Sequence, residues 1–199
     1  MARKINWIGV AAGIVTLVML AISFYEPWWQ LTIGQNLIKI NASPVNTNFG
    51  ILGTQFAIPM IWALNLVTIL TFSACGIIML IYSLVPTKPY AKQLLGFSYK
   101  KPLYSVVSFV AILIIILLVA GHFGMYLPLN GSATVTVPGS WTMGATVSAL
   151  VSGAFELPFF LAVAATALCI GARLYHSQVS KPLIQSQAAA SPTTSATTI

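Results

Sequence analysis

The chain carries two acidic residues in 199, Glu26 and Glu156. That scarcity excludes carboxylate-rich metal clusters and two-metal phosphoryl-transfer sites, which need several acids in one place. No G-x-x-x-x-G-K-[ST], C-x-x-C, H-E-x-x-H or G-x-S-x-G segment occurs, so the common phosphate loops, thiol redox pairs, zinc proteases and serine hydrolases are not signalled. Cys75 and Cys169 both lie within apolar runs and read as small packing residues, not as a disulfide stapling an exposed loop. No catalytic residue, metal ligand set or cofactor is predicted. Charge as a whole is thin: 6% of residues are charged and 58% hydrophobic, with a mean hydropathy of +0.91. So little polar surface cannot cover a soluble globule of 21.3 kDa, and an integral membrane protein is expected.

The pattern predicts an all-α membrane fold: a four-transmembrane-helix bundle with helices at about 7–25, 56–84, 103–123 and 151–175. Nine basic residues set its orientation. Arg3 and Lys4 precede the first run, Lys88, Lys92, Lys100 and Lys101 lie between the second and third, and Arg173 and Lys181 follow the fourth; only Lys39 falls elsewhere. The positive-inside rule then places both termini in the cytoplasm of a multi-pass cell-membrane protein. Tyr25-Glu26-Pro27-Trp28-Trp29 after the first run is not a small-residue cleavage site, so that run reads as a span rather than a removable signal.

The outer segments 26–55 and 124–150 show β character. Runs 28–34 and 37–43 flank Gly34-Gln35-Asn36, and runs 126–129 and 133–137 flank the turn dipeptide Asn130-Gly131. Two hairpin-like loops are expected to join as one small mixed extracytoplasmic sheet capping the bundle, with each half of the chain reading helix, hairpin, helix. Residues 140–150 read as a helical extension or an interfacial segment. Residues 177–199, rich in Ser, Thr, Ala and Gln, read as a disordered cytoplasmic tail.

Within the spans, Gly9 and Gly13 stand at G-x-x-x-G spacing, a close-packing face. Asn65, Thr68, Phe72 and Cys75 fall on one stripe of the second helix, predicted to face the bundle. The fourth helix, with Gly153, Ala162, Ala164, Ala165, Ala167 and Gly171, is expected near the bundle centre, and the third is expected to be the most lipid-exposed. Glu156, read as lying inside the fourth span below its outer end, is the candidate proton or ion site, with His122 and Glu26 at similar height. The plainer reading is a protonated carboxyl bonded to Asn65, a threonine or a carbonyl freed by Pro158. Trp7, Trp28, Trp29 and Trp141 read as interfacial belt residues, whereas Trp62 is expected to pack over the Glu156 region. Asn41-Ala42-Ser43 and Asn130-Gly131-Ser132 are candidate glycosylation acceptors at Asn41 and Asn130. The inner loop 87–102, mixing Lys88, Lys92, Lys100 and Lys101 with aromatics, is expected to contact lipid headgroups and not nucleic acid.

Four spans, cytoplasmic termini, a longer first and shorter second external segment of β character, and Trp28-Trp29 opening the first of them together resemble the layout of claudin-like tetraspan proteins. The paired cysteines with which such proteins staple the first external loop are absent, and no family residue is carried over. The expected function is non-enzymatic: a tetraspan acting through protein–protein contact, as an adhesion or scaffold component or an accessory subunit of a larger membrane complex. Its expected partners are membrane lipids and other membrane subunits or a second copy. The alternative is a small transporter or channel using Glu156 and His122.

Overall fold

The computed structural model describes residues 5–34, 37–86, 88, 90–137 and 147–189, the side chains of 136, 137, 147 and 177–189 excepted. Arg3, Lys4, Trp141, residues 140–146 and the end of the tail from 190 onward lie outside the described residues. In chain order the elements are α1 (Trp7–Ser23), β1 (Trp29–Ile33), β2 (Ile38–Ala42), β3 (Asn48–Ile51), β4 (Thr54–Phe56), α2 (Pro59–Leu84), α3 (Ala91–His122), β5 (Gly131–Val137), β6 (Val147–Phe155) and α4 (Leu157–Ala189). Three helical stretches, Pro59–Leu84, Ala91–His122 and Leu157–His176, are long and apolar enough to cross a membrane, and α1 is a shorter apolar helix of 17 residues.

The helices form a ring in which α1 packs on α2 and α4, and α3 closes against the same two. Gly9 and Gly13 set the α1–α2 approach: a Cβ added at Gly9 would meet the Ser83 hydroxyl, and one at Gly13 would come within 2.8 Å of Leu80 and 3.1 Å of the Gly76 carbonyl. On the other side Ala162, Ala165, Cys169 and Ala172 of α4 are buried, and Gly171 approaches Ile8. α1 is therefore clasped between two small-residue faces, and α4, expected near the bundle centre, is instead one member of the ring. As expected, α3 is the most exposed, with 11% of its apolar window buried.

Four helix boundaries differ from those expected. Thr54–Phe56 pair with β3, so α2 begins at Pro59, a residue tolerated in a first helical turn. The inner loop is mostly helix: α3 begins at Ala91 and runs through Pro102. Its Ala91 and Leu95 join Met79, Tyr82, Cys169 and Ala172 in one core cluster, so that face packs on protein. Residues 147–155 form β6, and α4 starts only at Leu157 with Pro158 in its first turn. At its far end α4 continues to Ala189, through residues expected to be disordered; Ala and Gln are strong helix formers, and a helix already nucleated propagates cheaply.

The sheet is also larger than two hairpin-like loops, and wholly antiparallel instead of mixed. Its six strands run in the order β4-β3-β2-β1-β6-β5. The first connection supplies four strands and the second two, so the halves are not equivalent repeats. β5 pairs with β6, not with 126–129. Gly153, read from sequence as a helix-packing residue, lies in β6, where the missing side chain leaves room for the Pro128 carbonyl and the Trp29 ring.

Candidate functional site

Strand alternation gives the sheet two unlike faces. In β1, Trp29, Leu31 and Ile33 join a core cluster with Val135 and Val151 and with Leu113 of α3. Gln30 and Thr32 point the other way. Register extends that second face across the sheet: Gln30 is opposite Asn41, which is opposite Asn48, while Thr32 is opposite Lys39, which is opposite Gly50, in turn opposite Gln55. One row of three amides, and a second carrying a hydroxyl, an ammonium and an amide, result from pairing alone.

The same register brings the two acids together. Trp29 pairs with Phe155, so in an antiparallel pair the residues just before β1 flank the residue just after β6. The Glu156 amide donates to the Trp28 carbonyl at 3.1 Å, fixing the junction. Glu26 and Glu156 thus line one cavity of about 420 Å³ with Tyr25, Pro27, Gln30, Lys39, Asn41, Asn46, Asn48 and Gln55. That volume lies within the usual range of small-molecule sites, but nearly every lining side chain here is polar.

Asparagines organise the wall. Asn41 Nδ2 donates to Asn48 Oδ1 at 2.8 Å, Asn48 Nδ2 to Asn46 Oδ1 at 3.1 Å, and Asn46 Nδ2 to the Phe24 carbonyl at 3.1 Å. Asn41 Oδ1 is buried and has no partner among the described residues, which ordinarily costs about 1–3 kcal/mol. Tyr25, 89% exposed, stands at the rim.

These positions correct several expectations. Glu156 is not inside a span: it is half-buried in the link between β6 and α4. Its cavity neighbours are Glu26 and Lys39; His122, exposed at the end of α3 against the Phe123 ring, does not line the cavity. Asn65 is buried on α2, but with its amide turned to satisfy both partners it donates to the Pro44 carbonyl at 3.2 Å and accepts from the Thr47 amide at 2.9 Å. It therefore clamps the β2–β3 loop and not Glu156. That loop enters the helix ring, where Val45 packs with Met19, Leu20, Trp28, Phe72 and Ala162. Trp28 is a core residue, fully buried, its indole N–H bonded to Ser23 and its ring among Phe72, Phe109 and Phe159. Trp29 is buried too and donates to the Leu129 carbonyl. Trp7 and Trp62 are exposed, at 72% and 62%, so Trp62 does not cover the Glu156 region. Of the acceptor asparagines, Asn41 is buried with its amide nitrogen engaged by Asn48, whereas Asn130 is exposed in the turn before β5. Thr68 bonds back to the Leu64 carbonyl and faces a groove between α2 and α3.

Sequence reasoning missed two features. Lys39, Gln30, Asn48 and Gln55 become site residues only through strand register, although the alternation of Ile38-Lys39-Ile40-Asn41 already marks Lys39 and Asn41 as sharing a face. Asn6 was not singled out, yet it is fully buried at the opposite end. Its Oδ1 caps α1 at the Gly9 amide, while its Nδ2 lies 3.1 Å from the Tyr82 hydroxyl and 3.3 Å from the Ala172 carbonyl, tying α1, α2 and α4 together. Asparagine directly before an apolar run is the N-cap signal that would have found it.

A scan against protein-family models gives no match for this chain, and no curated protein matches it.

Proposed function

We propose that the protein is a non-enzymatic four-span membrane protein, with both termini cytoplasmic and the sheet outside, that works by recognising a partner through the polar face of its sheet. It would act as an adhesion or scaffold component, or as an accessory subunit of a larger membrane complex. The observation carrying this reading is the convergence of Glu26, Glu156 and Lys39 on one open cavity. The only two acids of the chain meet there with the one basic residue that the charge distribution assigns to the outer side. Charges gathered on a rigid sheet and left open suit electrostatic selection of a partner. The transporter alternative is less favoured, since the Glu156 of this fold precedes its helix and has Glu26, not His122, as its cavity neighbour.

Native mass spectrometry of the protein extracted from its membrane in mild detergent tests the reading. The expected result is a second subunit or second copy at fixed stoichiometry, lost in the Glu26→Gln/Glu156→Gln double variant while the fold is retained. A bare monomer at every detergent concentration, or a complex indifferent to the double variant, would overturn it.

A further inference from the structure

Placing both acids at the sheet end has a consequence for the opposite end of the bundle. No carboxylate side chain is available to any cation there, because the chain has none left. Arg173 of α4 finds another solution, stacking its guanidinium 4.3 Å from the Tyr99 ring centroid and bonding to the Tyr99 hydroxyl. Lys101 has no such arrangement among the described residues. It lies on α3 about 15 Å along the axis from Ala91, by the rise of an α-helix, while Ala91 itself already packs beside Met79 and Tyr82 of α2. The α2 residues that share its groove, Thr68, Thr71 and Phe72, lie well inside Pro59–Leu84, which places it well up the helix pair and not at its end.

There Lys101 lines an open groove of about 350 Å³ between α2 and α3. Thr68, Thr71, Tyr104, Ser105 and Ser108 bring hydroxyls to it, and Phe72 and Val107 supply apolar wall. Thr68 and Thr71 return their protons to the carbonyls of Leu64 and Val67, and Ser108 bonds to the Ser105 carbonyl, so the helix backbone already engages much of this hydroxyl set. The Tyr104 side chain is 63% exposed at the same opening.

We propose that this groove is an interhelical site for an anionic phospholipid, whose phosphate pairs with Lys101 and takes a hydrogen bond from Tyr104, while its acyl chain lies along Phe72 and Val107. A cation within a bilayer requires a counter-ion or a route to the surface, and this sequence supplies no acidic side chain nearby. A lipid phosphate provides the missing charge, and its chain is the one ligand component that an apolar groove wall opening to the bilayer would favour over water. The proposal does not rest on the partner-recognition reading of the sheet.

The test uses the full chain, delipidated in neutral detergent and titrated with phosphatidylglycerol or phosphatidylcholine under native mass spectrometry. Phosphatidylglycerol adducts should survive collisional activation in preference to phosphatidylcholine by roughly fivefold, the factor expected for one basic residue. Lys101→Gln should erase the preference, while Lys100→Gln, one residue away and exposed outside the groove lining, should keep it. Ser105→Leu, which retains the charge but fills the groove, should reduce adducts of both lipids. Matching melting temperatures of the lipid-free proteins would show that the variants fold. An unchanged preference in Lys101→Gln, or equal loss in Lys100→Gln, would overturn the site in favour of diffuse surface charge. Displacement of phosphatidylglycerol by excess inorganic phosphate would overturn the lipid assignment and leave a plain anion site.

Discussion

The two ends of the helix ring solve the same problem, burial of polar groups among apolar helices, in opposite ways. At the sheet end the chain buries little charge; it collects its acids and Lys39 on an open strand face and sends an apolar loop, led by Val45 and clamped by Asn65, into the ring. At the end where the chain enters and leaves, one neutral side chain, Asn6, is fully buried and bonded to three helices. An amide divides its donor and acceptor capacity between several backbones without the desolvation cost of an ion, so a neutral residue locks the bundle and the ionisable ones stay where water or a ligand reaches them.

If sheet and helices form one unit at the Trp28 end, Trp28→Ala should have the largest effect. It removes a fully buried indole shared by the α1–β1 link and three phenylalanine rings, and should cost about 3–5 kcal/mol. Thermal unfolding in detergent should lower the sheet and helix signals together; a sheet that melts separately would break the comparison. Gly13→Leu should follow at about 1–3 kcal/mol, since the larger side chain drives α1 off Leu80 and Gly76, read as a lower melting temperature. Asn6→Ala should cost about 2 kcal/mol through loss of the cap and of the bond to Tyr82. Its signature should be faster deuterium exchange in the first turn of α1 with the sheet unaffected, and exchange spreading to the sheet would contradict the division of labour. The smallest effect should be that of Glu156→Gln, within about 0.5 kcal/mol, because the half-buried carboxyl faces an open cavity. An unfolded Gln variant would show that Glu156 belongs to a buried charge pair, erasing the contrast between the ends. Sidedness can be checked with single cysteines placed at the exposed Ser132 and Lys88 positions: membrane-impermeant reagent should label the first in intact cells and the second only after permeabilisation.

Much of the helical ring was legible because its signals are local. Apolar runs and the Gly9/Gly13 spacing lie within a few turns of chain, and both survive in the structure. Of the stripe Asn65, Thr68, Phe72 and Cys75, three are buried as the spacing implies, while Thr68 lies at the open groove. Reading failed where apolar and small residues served a strand. Val147–Phe155 has the composition of a helix-packing segment, and only its pairing with β1 and β5 shows otherwise. That misassignment displaced Glu156 into a span and assigned it His122 and Asn65 as companions.

What the sequence alone determined, then, is the amount of apolar helix, the two β-prone connections and the segregation of cations from acids, since composition and period are properties of neighbouring residues. Only the tertiary structure decided that Glu26 and Glu156 share a wall with Lys39, that Trp28 lies in the core and that Asn6 joins three helices. Each depends on the register between strands or the height between helices, and a shift of a single strand residue would turn the cavity side chains to the opposite face. No local pattern encodes that choice; the packing of Trp29, Leu31 and Val151 against α3 fixes it.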